Sequence, residues 1–331
     1  MAGQRDWTRE TLADGVRAGD KRALARAITL VENGEPLAYD VVRDIYPDTG
    51  RSYAVGVTGP PGVGKSSLIS ALVRHVRGRE QSVGVISVDP SSPFSQGALL
   101  GDRIRLSDHF LDPDVFIRSM GSRGHLGGLA EATLQAMLVL DASGKDLLFL
   151  ETVGAGQGEV EVIGIADTVL LVLMPGSGDS VQALKAGIME IPDVIAVNKM
   201  DHPAAKTMVN EVRSILTLDK ERKWKPPIVL TEATRGENVD VLWEKIAAHR
   251  AFLEEDDGLE QRRRRNLAGE VFAVASSRAK VHLQHAVADD PELRRLLDEV
   301  QRRELDPLTA VREIMEKVFR IGDTNGSPDA S

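Results

Sequence analysis

The chain has 331 residues, a formal net charge of −9, 42% hydrophobic residues and no cysteine. A chain without cysteine forms no disulfides or thiolate metal sites, and an acidic balance counts against general nucleic-acid binding, which relies on clustered Lys and Arg. No apolar stretch approaches the roughly 20 residues needed to span a bilayer, and the opening M-A-G-Q-R-D-W lacks an apolar signal core, so a soluble, cytoplasmic protein with no membrane contact is expected.

At roughly 150 residues per domain the length suggests two units. Residues 8 to 47 read as helical, with Leu24, Ala27, Ile28 and Val31 on one face and Asp20 as a cap; residues 1–50 are assigned to an N-terminal helical segment. From 51 to about 255, apolar runs alternate with helical patterns, which predicts an α/β domain with a mainly parallel sheet covered on both faces.

That domain opens on its most informative segment. Tyr53 to Val57 reads as a buried strand, Ser67 to Val73 as a helix, and between them stands G-P-P-G-V-G-K-S. A glycine-rich loop between strand and helix is the phosphate-loop pattern. Gly59, Gly62 and Gly64 permit close backbone approach, so that N–H groups along Gly59, Pro60, Pro61, Gly62, Val63, Gly64, Lys65, Ser66 and Ser67 ring the phosphates, the two prolines excepted as donors. Lys65 is placed on the β- and γ-phosphates and Ser66 on the accompanying Mg²⁺. The bland alternative is a glycine-rich turn, which the flanking strand and helix speak against.

Two further strands end in acids. Val83 to Val88 leads to Asp89, and Asp146 to Leu150 leads to Glu151 and then Gly154. Asp89 and Glu151 are assigned to the Mg²⁺ shell through water, and the Gly154 N–H to the γ-phosphate; either acid taken alone also fits a solvated strand end. His125, in a glycine-bearing stretch, reads as a loop residue. Pro175 to Ser180 leads into a segment with Gln182 and Lys185, read either as a rearranging loop or as an ordinary exposed one.

Val194 to Val197 forms a short β-branched run followed by Asn198, Lys199, Met200 and Asp201. N-K-x-D at a strand end is a guanine-reading pattern. Asp201 accepts the two N–H groups of guanine's Watson–Crick edge, whereas adenine offers no such pair, so GTP and GDP are expected over ATP. Val239, Leu242, Trp243 and Ile246 then form the core face of the domain's last helix.

After a charged link at 254 to 258, three helical patterns follow: Leu267, Val271, Val274 and Ala275; Leu293, Leu296, Leu297 and Val300; Val311, Ile314, Met315 and Val318. Such helices bury little by themselves, so residues 256–321 are assigned to a dimerisation region and 322–331 to a disordered tail. The run Arg262 to Arg265 reads as a solvated helix face or an intersubunit charge contact.

Taken together, G-P-P-G-V-G-K-S-S, V-D-P-S-S, L-L-G-D-R, E-T-V-G-A-G-Q, L-M-P-G-S-G-D and V-N-K-M-D, in that order, resemble the MeaB/ArgK family of P-loop GTPases. The resemblance runs from about residue 16 to about residue 255. It implies a homodimeric G-protein chaperone that gates adenosylcobalamin delivery to a B12-dependent acyl-CoA mutase such as methylmalonyl-CoA mutase, and protects that mutase. It also implies Lys65, Ser66, Asp89, Glu151, Asn198 and Asp201 in the roles already given, and makes Asp102 a candidate for positioning the attacking water; a solvated acid at a helix start is the alternative there. Gln157 is a second water-orienting candidate, with a surface amide as its ordinary reading, and the segment at Gln182 and Lys185 becomes a switch toward the mutase. One departure concerns the last guanine-contact loop, where Glu232 stands in place of the usual Ser, followed by Ala233, whose N–H is expected to meet the guanine carbonyl, and Thr234. Two rival functions remain: a P-loop kinase, and a nickel-type metallochaperone GTPase, against which the scattered histidines and missing cysteines speak.

Overall fold

Alternating apolar strands and amphipathic helices can bury both faces of a parallel sheet only by wrapping helices over each side. The computed structural model, which describes residues 7–89, 106–121, 128–152, 164–176, 191–217 and 223–319, has that arrangement. The strands are β1 (Tyr53–Thr58), β2 (Val83–Asp89), β3 (Val115–Gly121), β4 (Leu147–Thr152), β5 (Thr168–Leu173), β6 (Val194–Asn198) and β7 (Ile228–Thr231). They form one seven-stranded sheet in the order β3-β2-β4-β1-β5-β6-β7, and every pairing is parallel. β1 lies at the centre, where the chain order reverses, so the loop that follows it opens into the crevice at which such sheets bind ligands.

The helices divide between the faces as the pleat demands. Side chains alternate along a strand, so Ala54 and Leu148 face one layer while Val55 and Phe149 face the other. The first layer holds α1 (Arg9–Arg17), α2 (Lys21–Glu32), α3 (Pro36–Ile45) and α5 (Gly128–Ala142); the second holds α4 (Lys65–Arg77) and α7 (Val239–Glu254). A smaller cluster joins β5 and β6 to α6 (Ala205–Leu216). Asp20 caps α2, accepting the Arg22 N–H at 2.8 Å, and Leu24, Ala27, Ile28 and Val31 are buried together. Residues 9–45 thus share a core with Ile86, Leu150 and Val169 of the sheet. Their helices are part of the nucleotide-fold unit.

Among the C-terminal helices, α8 (Gly258–Asp289) contains the boundary between two compact units, Met1–Phe272 and Ala273–Ser331. This boundary falls later than the 255/256 position read from the charged link, because the first turns of α8 are bonded to the sheet. Arg262 donates to Asp193 at 2.6 and 3.1 Å; Arg263 donates to both oxygens of Asp167 at 2.8 Å and to the Gly50 and Ser52 carbonyls at 2.7 Å. Asp167 also holds the Arg263 guanidinium pKa above its ordinary value. The run read as a solvated face or intersubunit contact is therefore split: Arg264 and Arg265 are exposed, while Arg262 and Arg263 close on buried carboxylates inside one chain. The change Arg263→Ala leaves Asp167 buried without its cation and is expected to cost about 3 kcal/mol in urea unfolding, against under about 0.5 kcal/mol for Arg264→Ala.

Within the second unit, α9 (Pro291–Gln301) and α10 (Pro307–Phe319) pack through Leu293, Leu296 and Ala310. Lys317 bridges to Asp290 at 2.9 Å and to Glu292. Leu297, Leu308 and Val311 stay exposed. No helix among the described residues is long and apolar enough to cross a membrane.

Candidate nucleotide site

The loop after β1 is held in its phosphate-loop shape by two neighbours that leave no room for side chains. Gly59 has φ of 143°, and a Cβ there would lie 2.1 Å from the Val172 carbonyl of β5; Gly64 has φ of 94°, and its Cβ would meet the Asn198 amide nitrogen at 2.5 Å. Backbone that only glycine adopts is thus required where the loop presses against β5 and against the N-K-x-D segment. Gly64 is the cap of α4, so the first N–H groups of that helix, from Lys65 and Ser66 onward, stand at its positive end beside the loop. Pro61 and Gly62 are exposed at the loop tip, and Val63 is buried. The Lys65 side chain is buried and its ammonium donates to the Gly59 carbonyl at 2.7 Å and the Pro60 carbonyl at 3.0 Å, folding across the hollow of its own loop.

Asn198 joins the two motifs. Its Nδ2 donates to the Val63 carbonyl at 2.9 Å, and its Oδ1 accepts the Thr231 hydroxyl at 3.3 Å and the Ala233 N–H at 3.1 Å. Asn198, expected among the guanine contacts, is here a buried brace between three loops, and the Ala233 N–H expected on the guanine carbonyl is donated to that brace. The reader loop is pinned again by Met200 N–H to the Thr231 carbonyl at 3.0 Å, with Lys199 in the left-handed region at φ of 60°. Lys199 and Asp201 are exposed.

Glu232 is turned inward, 8% exposed. Its Oε1 accepts the Thr234 hydroxyl at 2.6 Å, and its Oε2 is buried without a hydrogen-bond partner.

On the other side of the phosphate loop, the pairing of Val57 with Glu151 sets the acid of β4 against the end of β1. Glu151 is buried within the strand rather than exposed at its end. Ser66 donates its hydroxyl to Glu151 Oε1 at 2.7 Å, and Ser87 of β2 donates to Oε2 at 3.0 Å. One strand position on, Thr152 donates to Thr58 at 3.2 Å, joining the exit of β4 to the entry of the phosphate loop. The described residues hold no group of three or more His, Cys, Asp or Glu able to bind a metal by themselves. A serine hydroxyl backed by one carboxylate suits a hard cation that takes its remaining ligands from phosphate oxygens and water, which is the habit of Mg²⁺. Asp89 closes β2 two residues beyond Ser87.

Asp102, His125, Gly154, Gln157, Gln182 and Lys185 lie outside the described residues. Ser87, Thr58, Thr152 and Thr231 join the site as well; their signal in the sequence is a hydroxyl inside an otherwise apolar strand, where a buried polar group needs a partner.

The geometry agrees with what the chain is similar to. Residues 24–288 match the family profile described as methylmalonyl Co-A mutase-associated GTPase MeaB. A putative GTPase of Pyrococcus abyssi is 45% identical over 317 residues, covering 95% of this chain and 98% of that one. The GTPase ArgK of Escherichia coli is 33% identical over 319 residues, covering 92% and 96%. A solved structure described as LAO/AO transport system kinase superposes with a TM-score of 0.70 at 28% identity, covering 96% of this chain and all of that one. A phosphate loop tied by Asn198 to the N-K-x-D segment, at the centre of a seven-stranded parallel sheet, thus sits in a chain that belongs to the MeaB family of GTPases.

Proposed function

We propose that this GTPase binds GTP with Mg²⁺, hydrolyses it slowly, and uses the nucleotide state to gate adenosylcobalamin delivery to, and protect, a B12-dependent acyl-CoA mutase, methylmalonyl-CoA mutase or a close relative. The observation that supports the nucleotide part is the Asn198 brace, which ties the N-K-x-D segment to the phosphate loop and to the loop after β7. The mutase part is supported by the description of the family that the chain belongs to.

In this reading catalysis is positioning and electrostatics. Lys65 leaves the Gly59 and Pro60 carbonyls for the β- and γ-phosphate oxygens. The N–H groups at the start of α4 line the phosphates, and Asp201 takes the N–H pair of guanine. Ser66 and Glu151, with Asp89, would hold Mg²⁺, which when bound neutralises charge between the phosphates. Asp102 positions water and Gly154 senses the γ-phosphate. The Ala233 N–H reaches guanine only by sharing or leaving Asn198. Residues 256–321 mediate a homodimer, a role supported by the uncovered Leu297, Leu308 and Val311.

Labelled GTP and ATP, followed by co-purification with a B12-dependent mutase in the presence of a non-hydrolysable GTP analogue, test both halves. Free phosphate from GTP with ATP inert, and mutase retained with the analogue, are the expected results. A phosphorylated acceptor in place of free phosphate would establish a kinase, the activity in the description of the superposed structure. No mutase association in any nucleotide state removes the chaperone half.

A further inference from the structure

We infer that Ser87 is a positioning residue for the metal end of this site, acting on Glu151 from the neighbouring strand. The inference rests on the reading of Ser66 and Glu151 as the Mg²⁺ end of the nucleotide site.

Ser87 lies in β2 between Ile86 and Val88, in a strand whose preceding positions on the same face, Val83 and Val85, are apolar and fully enclosed. At 2% exposure, packing alone favours an aliphatic side chain there, and a hydroxyl is tolerated only with a partner. That partner comes from the parallel register, which sets Ser87 directly beside Glu151. The hydroxyl donates to Oε2 at 3.0 Å while Ser66 donates to Oε1 at 2.7 Å. All three side chains are more than nine-tenths buried.

The consequence is geometric. A carboxylate gripped at both oxygens cannot swing freely about its terminal torsion, so the direction in which Oε1 receives the Ser66 proton is set. A serine hydroxyl has one proton and two lone pairs. With the proton committed to Glu151, both lone pairs of Ser66 point away from the carboxylate, which is the orientation a direct cation ligand needs. Without Ser87 the carboxylate has one grip fewer, so the direction in which it receives the Ser66 proton is less firmly set.

The test compares binding of a fluorescent GDP with and without Mg²⁺, so that activity is not the sole readout. For Ser87→Ala, affinity in EDTA is expected to stay within twofold of the unmodified chain, while the tightening produced by Mg²⁺ falls about 5- to 10-fold, the size of one lost intramolecular hydrogen bond. The Mg²⁺ half-saturation for GTP hydrolysis rises by a similar factor. Ser87→Thr, which keeps the hydroxyl, restores the Mg²⁺ effect. The ratio taken within each variant cancels any general loss of folding. A Ser87→Ala ratio equal to that of the unmodified chain, or the same loss in Ser87→Ala and Ser87→Thr, overturns the inference and leaves Ser87 as packing. If the unmodified chain itself shows no Mg²⁺ effect on nucleotide binding, the metal reading of the site fails instead.

Discussion

Lys65→Ala is expected to lower GTP affinity by a factor on the order of 10² to 10³, the equivalent of about 3–4 kcal/mol. The ammonium is the one flexible cation built into the phosphate loop, buried and bonded to the Gly59 and Pro60 carbonyls. Its transfer to β- and γ-phosphate oxygens replaces two neutral acceptors with two anionic ones, and charge-assisted hydrogen bonds run at about 1.5–3 kcal/mol each. Alanine at the first position of α4 suits the helix and removes a buried cation, so the melting temperature is expected to hold while calorimetric GTP binding collapses. GDP loses less, because it lacks the γ-phosphate. Undiminished GTP affinity in a folded Lys65→Ala protein would remove the phosphate loop from the nucleotide site.

Asp201→Asn is expected to exchange one base for another. The carboxylate presents two acceptor oxygens to guanine's N1–H and 2-amino group; asparagine presents one acceptor and one donor, which clashes with the amino group and matches the 2-carbonyl of xanthine. A loss of about 3 kcal/mol for GTP, near 10²-fold, with a matching gain for XTP is the expected competition result. Asp201 is exposed, and its loop is held by the backbone bond from Met200 to Thr231 and by the Asn198 brace, so the substitution leaves the scaffold in place. Equal GTP affinity in variant and parent would mean that Asp201 does not touch the base. A substitution of Asn198 would not be informative in the same way. Removing the brace frees Val63, Thr231 and Ala233 at once and disturbs phosphate and base together.

The two Arg residues of α8 and the serine of β2 illustrate why parts of this molecule were not legible in one dimension. Arg262 and Arg263 stand in a run of four arginines preceded by acids, a pattern that ordinarily marks a solvated face. Their partners, Asp193 and Asp167, precede β6 and β5 and come near only because the parallel sheet gathers the starts of its strands along one edge. Glu232 shows the same limit. From its place in the loop it reads as a carboxylate beside the base, yet the tight turn bonded to Glu237 folds it inward onto Thr234.

Local patterns by themselves determined the strand, loop and helix around G-P-P-G-V-G-K-S, the N-K-x-D strand end, the Asp20 cap and the core face of α7, because each depends on residues within a few positions of one another. Tertiary structure alone decided that Asn198 braces three loops, that the Ala233 N–H is donated to it, that the N-terminal helices share the sheet's core, and that Ser87 grips Glu151. Each of these is a contact between segments distant in the chain, set by strand order and register, and a side chain's role in such a contact depends on which neighbour the fold delivers to it.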